Sequence, residues 1–191
     1  SQLYAQQTAE VRADVRVIEI KGSAEMRLAV DQKWIPLKIG DIIPAGAWIQ
    51  TALRSRVYLK FWNNTLAQVK SASLVQVKGL ANDGKNMKAR IHLALGSTRV
   101  HVKKDRKENV DFKVVSPKMT TSIKGTIIKT TREHSGDFSF CSKGTAKFST
   151  LFRQITGGMK TKAVPSSKAS VKLAKGKESQ KNIPSAPKKE S

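Results

Sequence analysis

Val57-Tyr58-Leu59-Lys60-Phe61 decides the fold. Its apolar side chains at 57, 59 and 61 fall on one face of a period-2 chain. Tyr58 and Lys60 fall on the other, the pattern of a strand with one face in a core. The same alternation recurs in Ile91-His92-Leu93-Ala94-Leu95 and Val110-Asp111-Phe112-Lys113-Val114. The segments from Val15 to Ile20, Ile123 to Thr130 and Phe138 to Phe140 are rich in the β-branched or aromatic residues that strands favour. Turn residues punctuate the chain at short intervals, among them Lys21-Gly22, Gly40-Asp41, Asn63-Asn64, Gly96-Ser97, Ser116-Pro117 and Lys143-Gly144. No long stretch carries a 3.6-residue period with helix caps. The expected fold is therefore all-β. It is a single domain over residues 15–150, with roughly a dozen short strands in a sandwich or a solenoid-like roll. Leu59, Phe61, Leu93 and Val100 are expected inside it.

Composition narrows the function. The chain has 191 residues, 39% of them hydrophobic. Its apolar runs fall far short of the roughly 18 residues that cross a bilayer as a helix, so no membrane span is expected. One cysteine, Cys141, excludes an internal disulfide and reads as a small buried hydrophobe. Lys and Arg number 36 against 14 acids, a net charge of +22. Nine lysines and two acids after Gly158 account for +7 of this, so residues 1–158 themselves carry +15. Such a charge favours an anionic partner: nucleic acid, lipid A or anionic lipid headgroups, or an acidic protein.

The two ends read differently from the middle. Residues 1–14 are a polar lead-in. Ser1 rather than Met opens the chain, the mark of processing, trimming or cloning; a removed signal peptide is one of these readings, with no positive or apolar leader region left to show it. Residues 151–191 read as a linker and a basic tail rich in Lys, Ser and Pro. Pro165, Pro184 and Pro187 interrupt it, and Val164, Val171, Leu173 and Ile183 stand isolated. Too little apolar surface is available there to offset ordering entropy, so the tail is expected to be disordered on its own. Its lysines Lys160, Lys162, Lys168, Lys172, Lys175 and Lys177 are candidate partner contacts. Tyr58, Lys60 and Trp62, on the outward face of their strand, are the others, suited to docking a protein or glycan.

Catalytic and metal chemistry find little footing. The glycines Gly40 and Gly46 match no phosphate-binding fingerprint and read as tight turns. Gly125-Thr126 reads as a bulge or strand crossing. There is no Gly-x-Ser-x-Gly elbow and no paired carboxylates, so no enzyme activity and no cofactor are expected. Taking Gly96-Ser97 as a two-residue hairpin turn sets Leu95 opposite Thr98, Leu93 opposite Val100 and Ile91 opposite Val102. His92 then faces His101. A pair of histidines without further ligands is expected to be exposed and idle rather than a metal site.

A longer pattern carries a resemblance. In Lys33 to Thr51, Trp34, Leu37, Gly40, Ile43, Gly46 and Ile49 recur at a spacing of three and end in Thr51. Ser55 to Phe61, the Asn63-Asn64-Thr65 turn and Ser73 to Val77 follow in order. Ile91 to Gly96 comes next, then Phe112-Lys113-Val114-Val115-Ser116-Pro117 and Ile123-Lys124-Gly125-Thr126. Together these resemble the FecR-type domain family over about residues 15–150. The resemblance implies an all-β domain outside the cytoplasmic membrane, mostly periplasmic, and in some members a sensor that controls a sigma factor. The membrane span and second signalling module of those regulators are not expected here, and the sequence resembles the stand-alone secreted members. The expected function is a non-enzymatic periplasmic interaction or scaffold protein, part of a cell-envelope assembly such as a flagellar or secretion apparatus. Its partners would be other envelope proteins, with anionic envelope polymers second and nucleic acid not expected. The alternatives are a periplasmic sensor or regulatory ligand-binding domain, and a polyanion- or nucleic-acid-binding protein.

Overall fold

Strands, most of them short and alternating in burial, build the described part of the molecule. The computed structural model describes residues 15–61, 65–82, 86–103, 109–134, 136–149, 153–157, 161–165, 171–174 and 178–182; at 82, at 143–145 and beyond 149 it describes backbone. The strands are β1 (Val15–Lys21), β2 (Ala24–Arg27), β3 (Ile35–Pro36), β4 (Ile42–Ile43), β5 (Trp48–Thr51) and β6 (Arg56–Lys60). They continue with β7 (Leu66–Val69), β8 (Leu74–Asn82), β9 (Asn86–His101), β10 (Asn109–Val115), β11 (Thr120–Glu133) and β12 (Gly136–Ser149). Four short ones follow: β13 (Arg153–Gly157), β14 (Thr161–Pro165), β15 (Val171–Ala174) and β16 (Glu178–Asn182). No helix occurs among the described residues, as the alternation predicts.

All sixteen strands join one continuous sheet. Pairing divides it into two walls. The first runs β4-β1-β6-β7-β9-β11-β12-β14-β15. The second runs β3-β2-β5-β8-β9-β10-β11-β12-β13-β16. The long strands β9, β11 and β12 belong to both, one half to each wall. Among the described residues every pairing is antiparallel except β9 with β10, which is parallel. Alternate residues of both walls point into one core. Leu59, Phe61, Leu93 and Val100 are all fully buried, as expected from their parity. Phe61, just past β6, meets Phe112 of β10 edge-to-face, with ring centroids 4.9 Å apart, a favourable aromatic geometry that ties the walls together.

The expected hairpin at Gly96-Ser97 does not form. β9 runs through it as one strand of 16 residues, bent where Gly96 takes φ +87°. The turn of the β7–β8 connection presses into the space a side chain would fill. A Cβ on Gly96 would lie 2.6 Å from Ser73 Cα and 2.7 Å from the Ala72 carbonyl oxygen. Ser97 N–H donates to Ser73 Oγ at 2.9 Å, and Ser73 Oγ lies 3.2 Å from the Ser97 carbonyl. These bonds from a distant loop replace those a hairpin turn would make with itself. Leu93 therefore pairs with Val75, and Val100 with Ala67 and Ile128. His92 lies opposite Gln76 and Val115, His101 opposite Leu66 and Ile127, so the two histidines do not face each other.

Other local expectations hold. Gly40 and Gly46 sit in turns at φ +95°, and β11 slips register between Lys124 and Ile127 around Gly125. Cys141 is buried, with Sγ 3.3 Å from Thr126 Oγ1. In the tail, expected to be disordered, the described residues are backbone segments of β14 to β16: β14 pairs with β12, β15 with β14 and β16 with β13. The rest of the tail and the lead-in at 1–14 lie outside the described residues.

Phe61→Ala should cost about 3–5 kcal/mol in urea unfolding, because it empties a fully enclosed site; an unchanged midpoint would refute the inward face of β6. Gly96→Ala should cost roughly 2 kcal/mol or more, since left-handed strain and a backbone clash add. A variant as stable as the parent would show that β9 does not need its bend.

Candidate functional site

Once one face of each strand is buried, the other faces are fixed too. On the second wall the inward residues are Met87, Ala89 and Ile91 of β9, Val110, Phe112 and Val114 of β10, Ile123 of β11, and Ala146 and Phe148 of β12. Their neighbours point outward. Register then sets Lys78 opposite Arg90, Arg90 opposite Lys113, Lys113 opposite Ser122 and Ser122 opposite Lys147. In the next row Lys88 lies opposite Asp111. Lys124 stands two residues beyond Ser122 on β11. Lys88, Asp111, Lys113, Ser122, Lys124 and Lys147 line a cleft of about 580 Å³, together with the strand segments at Val110, Ile123 and Ala146; Lys78 and Arg90 lie outside its lining. Among the described residues one carboxylate lines it, Asp111, which lies 3.1 Å from Lys113 Nζ. Like charges directly opposite on neighbouring strands repel and weaken a sheet.

The first wall carries the residues expected from sequence. Tyr58 is half-buried and Lys60 exposed on its outward face. Gln68 Nε2 donates to the Tyr58 hydroxyl at 2.9 Å. Cations are directly opposed here too: Arg16 with Lys60, Lys21 with Arg56, and Arg99 with Lys129. Burial, and then the charges of Lys129 and Arg99, hold the Lys70 ammonium below the usual lysine range. Trp62, Lys160, Lys168, Lys175 and Lys177 lie outside the described residues. Lys162 occupies a register position opposite Phe140, in the row that runs from Tyr58 through Gln68, Arg99 and Lys129. Lys172 lies on β15 opposite Val164.

Sequence reasoning missed the cleft lysines Lys88, Lys113, Lys124 and Lys147. The signal was present in alternation, which puts each outside, but only long-range register brings four strands' lysines together.

His92 belongs to the second wall's outer face. Its ring meets Trp48 edge-on at 6.4 Å, and its buried Nδ1 has no hydrogen-bond partner. Burial foremost, then the charges of Lys78 and Arg132, lower its pKa from the ordinary 6.5. Among the described residues no group of three or more His, Cys, Asp or Glu is placed to hold a metal. The imidazole is thus disfavoured in its charged form, and the unfolded chain takes up the proton first. Its contribution to stability is complete above the unfolded pKa near 6.5 and is lost as pH falls below it towards the folded value. Melting temperatures of the parent should therefore fall more steeply between about pH 7.5 and 5 than those of His92→Gln. Parallel curves would show that His92 is indifferent to its charge.

Comparison with known proteins agrees with this architecture. The chain superposes on two crystal structures of a "putative anti-sigma factor" from Parabacteroides distasonis, each with a TM-score of 0.52 at 9% identity. The superposition covers 71% of this chain and 59% of theirs, so the chain spans about three fifths of the length of those structures. At that identity the likeness is one of fold. No curated protein matches the chain. The family model described as "FecR protein" matches residues 47–147, from the turn before β5 through the bent strands β9 and β11 and into β12, which is just over half of the sequence. On that match, the chain belongs to the FecR family.

Proposed function

We propose that this chain is a non-enzymatic sensor or regulatory binding domain of the cell envelope, acting in the periplasm after removal of a signal peptide. The observation that carries the reading is a FecR fold whose two outer walls keep cations in direct opposition, Arg16 with Lys60 on one and Arg90 with Lys113 on the other. Such faces weaken the free domain and favour a bound anionic or acidic partner. The neighbour in fold bears the name of a regulator of sigma factors, which supports a regulatory role over a purely structural one. Its partner would be another envelope protein, met through the wall that carries Tyr58 and Lys60. A scaffold role within a larger assembly is the second reading. It is favoured by β14 and β15, which extend the first wall at its edge and bring Lys162 and Lys172 to it.

Photo-crosslinking in intact envelopes tests the protein-binding reading. A crosslinker in place of Tyr58 should give one dominant protein adduct, absent when it replaces Ile39 in the exposed loop before β4. Binding of the captured protein should persist in part at about 500 mM salt, because apolar contact outlasts screening. Complete loss there, with tight binding of generic DNA at low salt, would replace this reading with a polyanion binder.

A further inference from the structure

The cleft of the second wall has a centre. Ser122 on β11 is half-buried, with Lys113 as its ladder partner on one side and Lys147 on the other. Lys124 follows two residues along the same strand. Neighbouring strands lie about 4.8 Å apart, and residues two apart on one strand about 6.8 Å. Three ammonium groups on four-carbon stems can therefore converge on one point above the Ser122 hydroxyl. Two strands from Ser122, β9 presents the exposed side chains of Lys88 and Arg90. Asp111 offsets one of these charges, through Lys113. Lys88, Lys113, Lys124 and Lys147 thus leave an excess of cations among the described residues lining a cleft of about 580 Å³, with Arg90 at its margin. That volume suits a small molecule and not a duplex.

We infer that this cleft binds a small ligand of the sugar-bisphosphate class. One phosphate sits over Ser122 between Lys113, Lys124 and Lys147, and a second lies about 10 Å away against Lys88, a separation of two strands, with Arg90 reaching it from just outside the lining. Lysine suits phosphate as a mobile point charge, arginine as a fork, and the serine hydroxyl supplies a neutral donor. The proposal names the ligand of the sensor reading and rests on that reading for its biological role. The binding itself is a property of the cleft.

Calorimetry on the full chain with fructose 1,6-bisphosphate and with inorganic phosphate tests it. The bisphosphate should bind at one site about tenfold more tightly than phosphate, because its second group binds at high effective concentration. Lys113→Gln/Lys147→Gln should weaken both probes about tenfold or more, as charge-assisted bonds are lost. Lys88→Gln/Arg90→Gln should reduce the bisphosphate to the affinity of phosphate alone. Lys33→Gln/Lys38→Gln, in the exposed loops before β3 and β4, removes equal charge and should change neither. Equal losses in all three double variants would overturn the proposal in favour of diffuse attraction. So would duplex DNA binding that Lys113→Gln/Lys147→Gln leaves intact. Co-sedimentation with phosphatidylcholine vesicles containing phosphatidic acid decides the source of the phosphate. Binding that fructose 1,6-bisphosphate displaces means a lipid headgroup, and its absence means a soluble ligand. Crosslinking through Tyr58 reads the other wall, so a failed cleft and a failed sensor reading are told apart.

Discussion

β9 serves two walls because it bends at Gly96 without breaking. Its first half pairs with β8 and β10, its second with β7 and β11. The bend is set by Ser73, whose hydroxyl is bonded at both the N–H and the carbonyl of Ser97, while Ser73 N–H donates to Thr51 Oγ1 at 3.0 Å. A side chain at 96 would push that loop out. The register of β9 fixes what its neighbours present outward, because a slip of one residue would exchange the core for the surface along each strand. Core and cation ladders therefore share one determinant.

That link explains why the charge is organised and not merely abundant. The outer faces of β8, β9 and β10 align Lys78, Arg90 and Lys113 in one row. On the first wall, burial and then the charges of Lys129 and Arg99 lower the pKa of Lys70. Stability alone would place an acid opposite a cation, as Asp111 is placed opposite Lys88. The rows without acids are those in which a partner or ligand can supply the missing negative charge.

Most of the fold was legible because alternation is a local signal. Val57, Leu59 and Phe61 are buried as read, and Tyr58 and Lys60 lie on the opposite face. The crossing at Gly96 was not legible. Gly-Ser between two alternating runs satisfies a hairpin and a bent strand equally, and the residue that decides, Ser73, is distant in sequence. The cleft shared that fate: each of its lysines was identifiable as outward-facing, but their convergence on Ser122 depends on β9, β10, β11 and β12 taking one particular register. The family resemblance, by contrast, rested on spacings of Gly, Trp and Ile around turns, and the matched region runs from 47 to 147.

The central claim is that the outer faces hold cations against their own repulsion. Its most direct test is the unfolding free energy of the free chain in sodium chloride from about 0.01 to 1 M, over which the Debye length shrinks from roughly 30 to 3 Å. The account predicts that stability rises with salt. It also predicts that Arg90→Gln is more stable than the parent by about 0.5 kcal/mol at the low end, with the difference vanishing at the high end. A parent whose stability stays flat or falls with salt would contradict it, because the opposed cations would then cost the fold nothing.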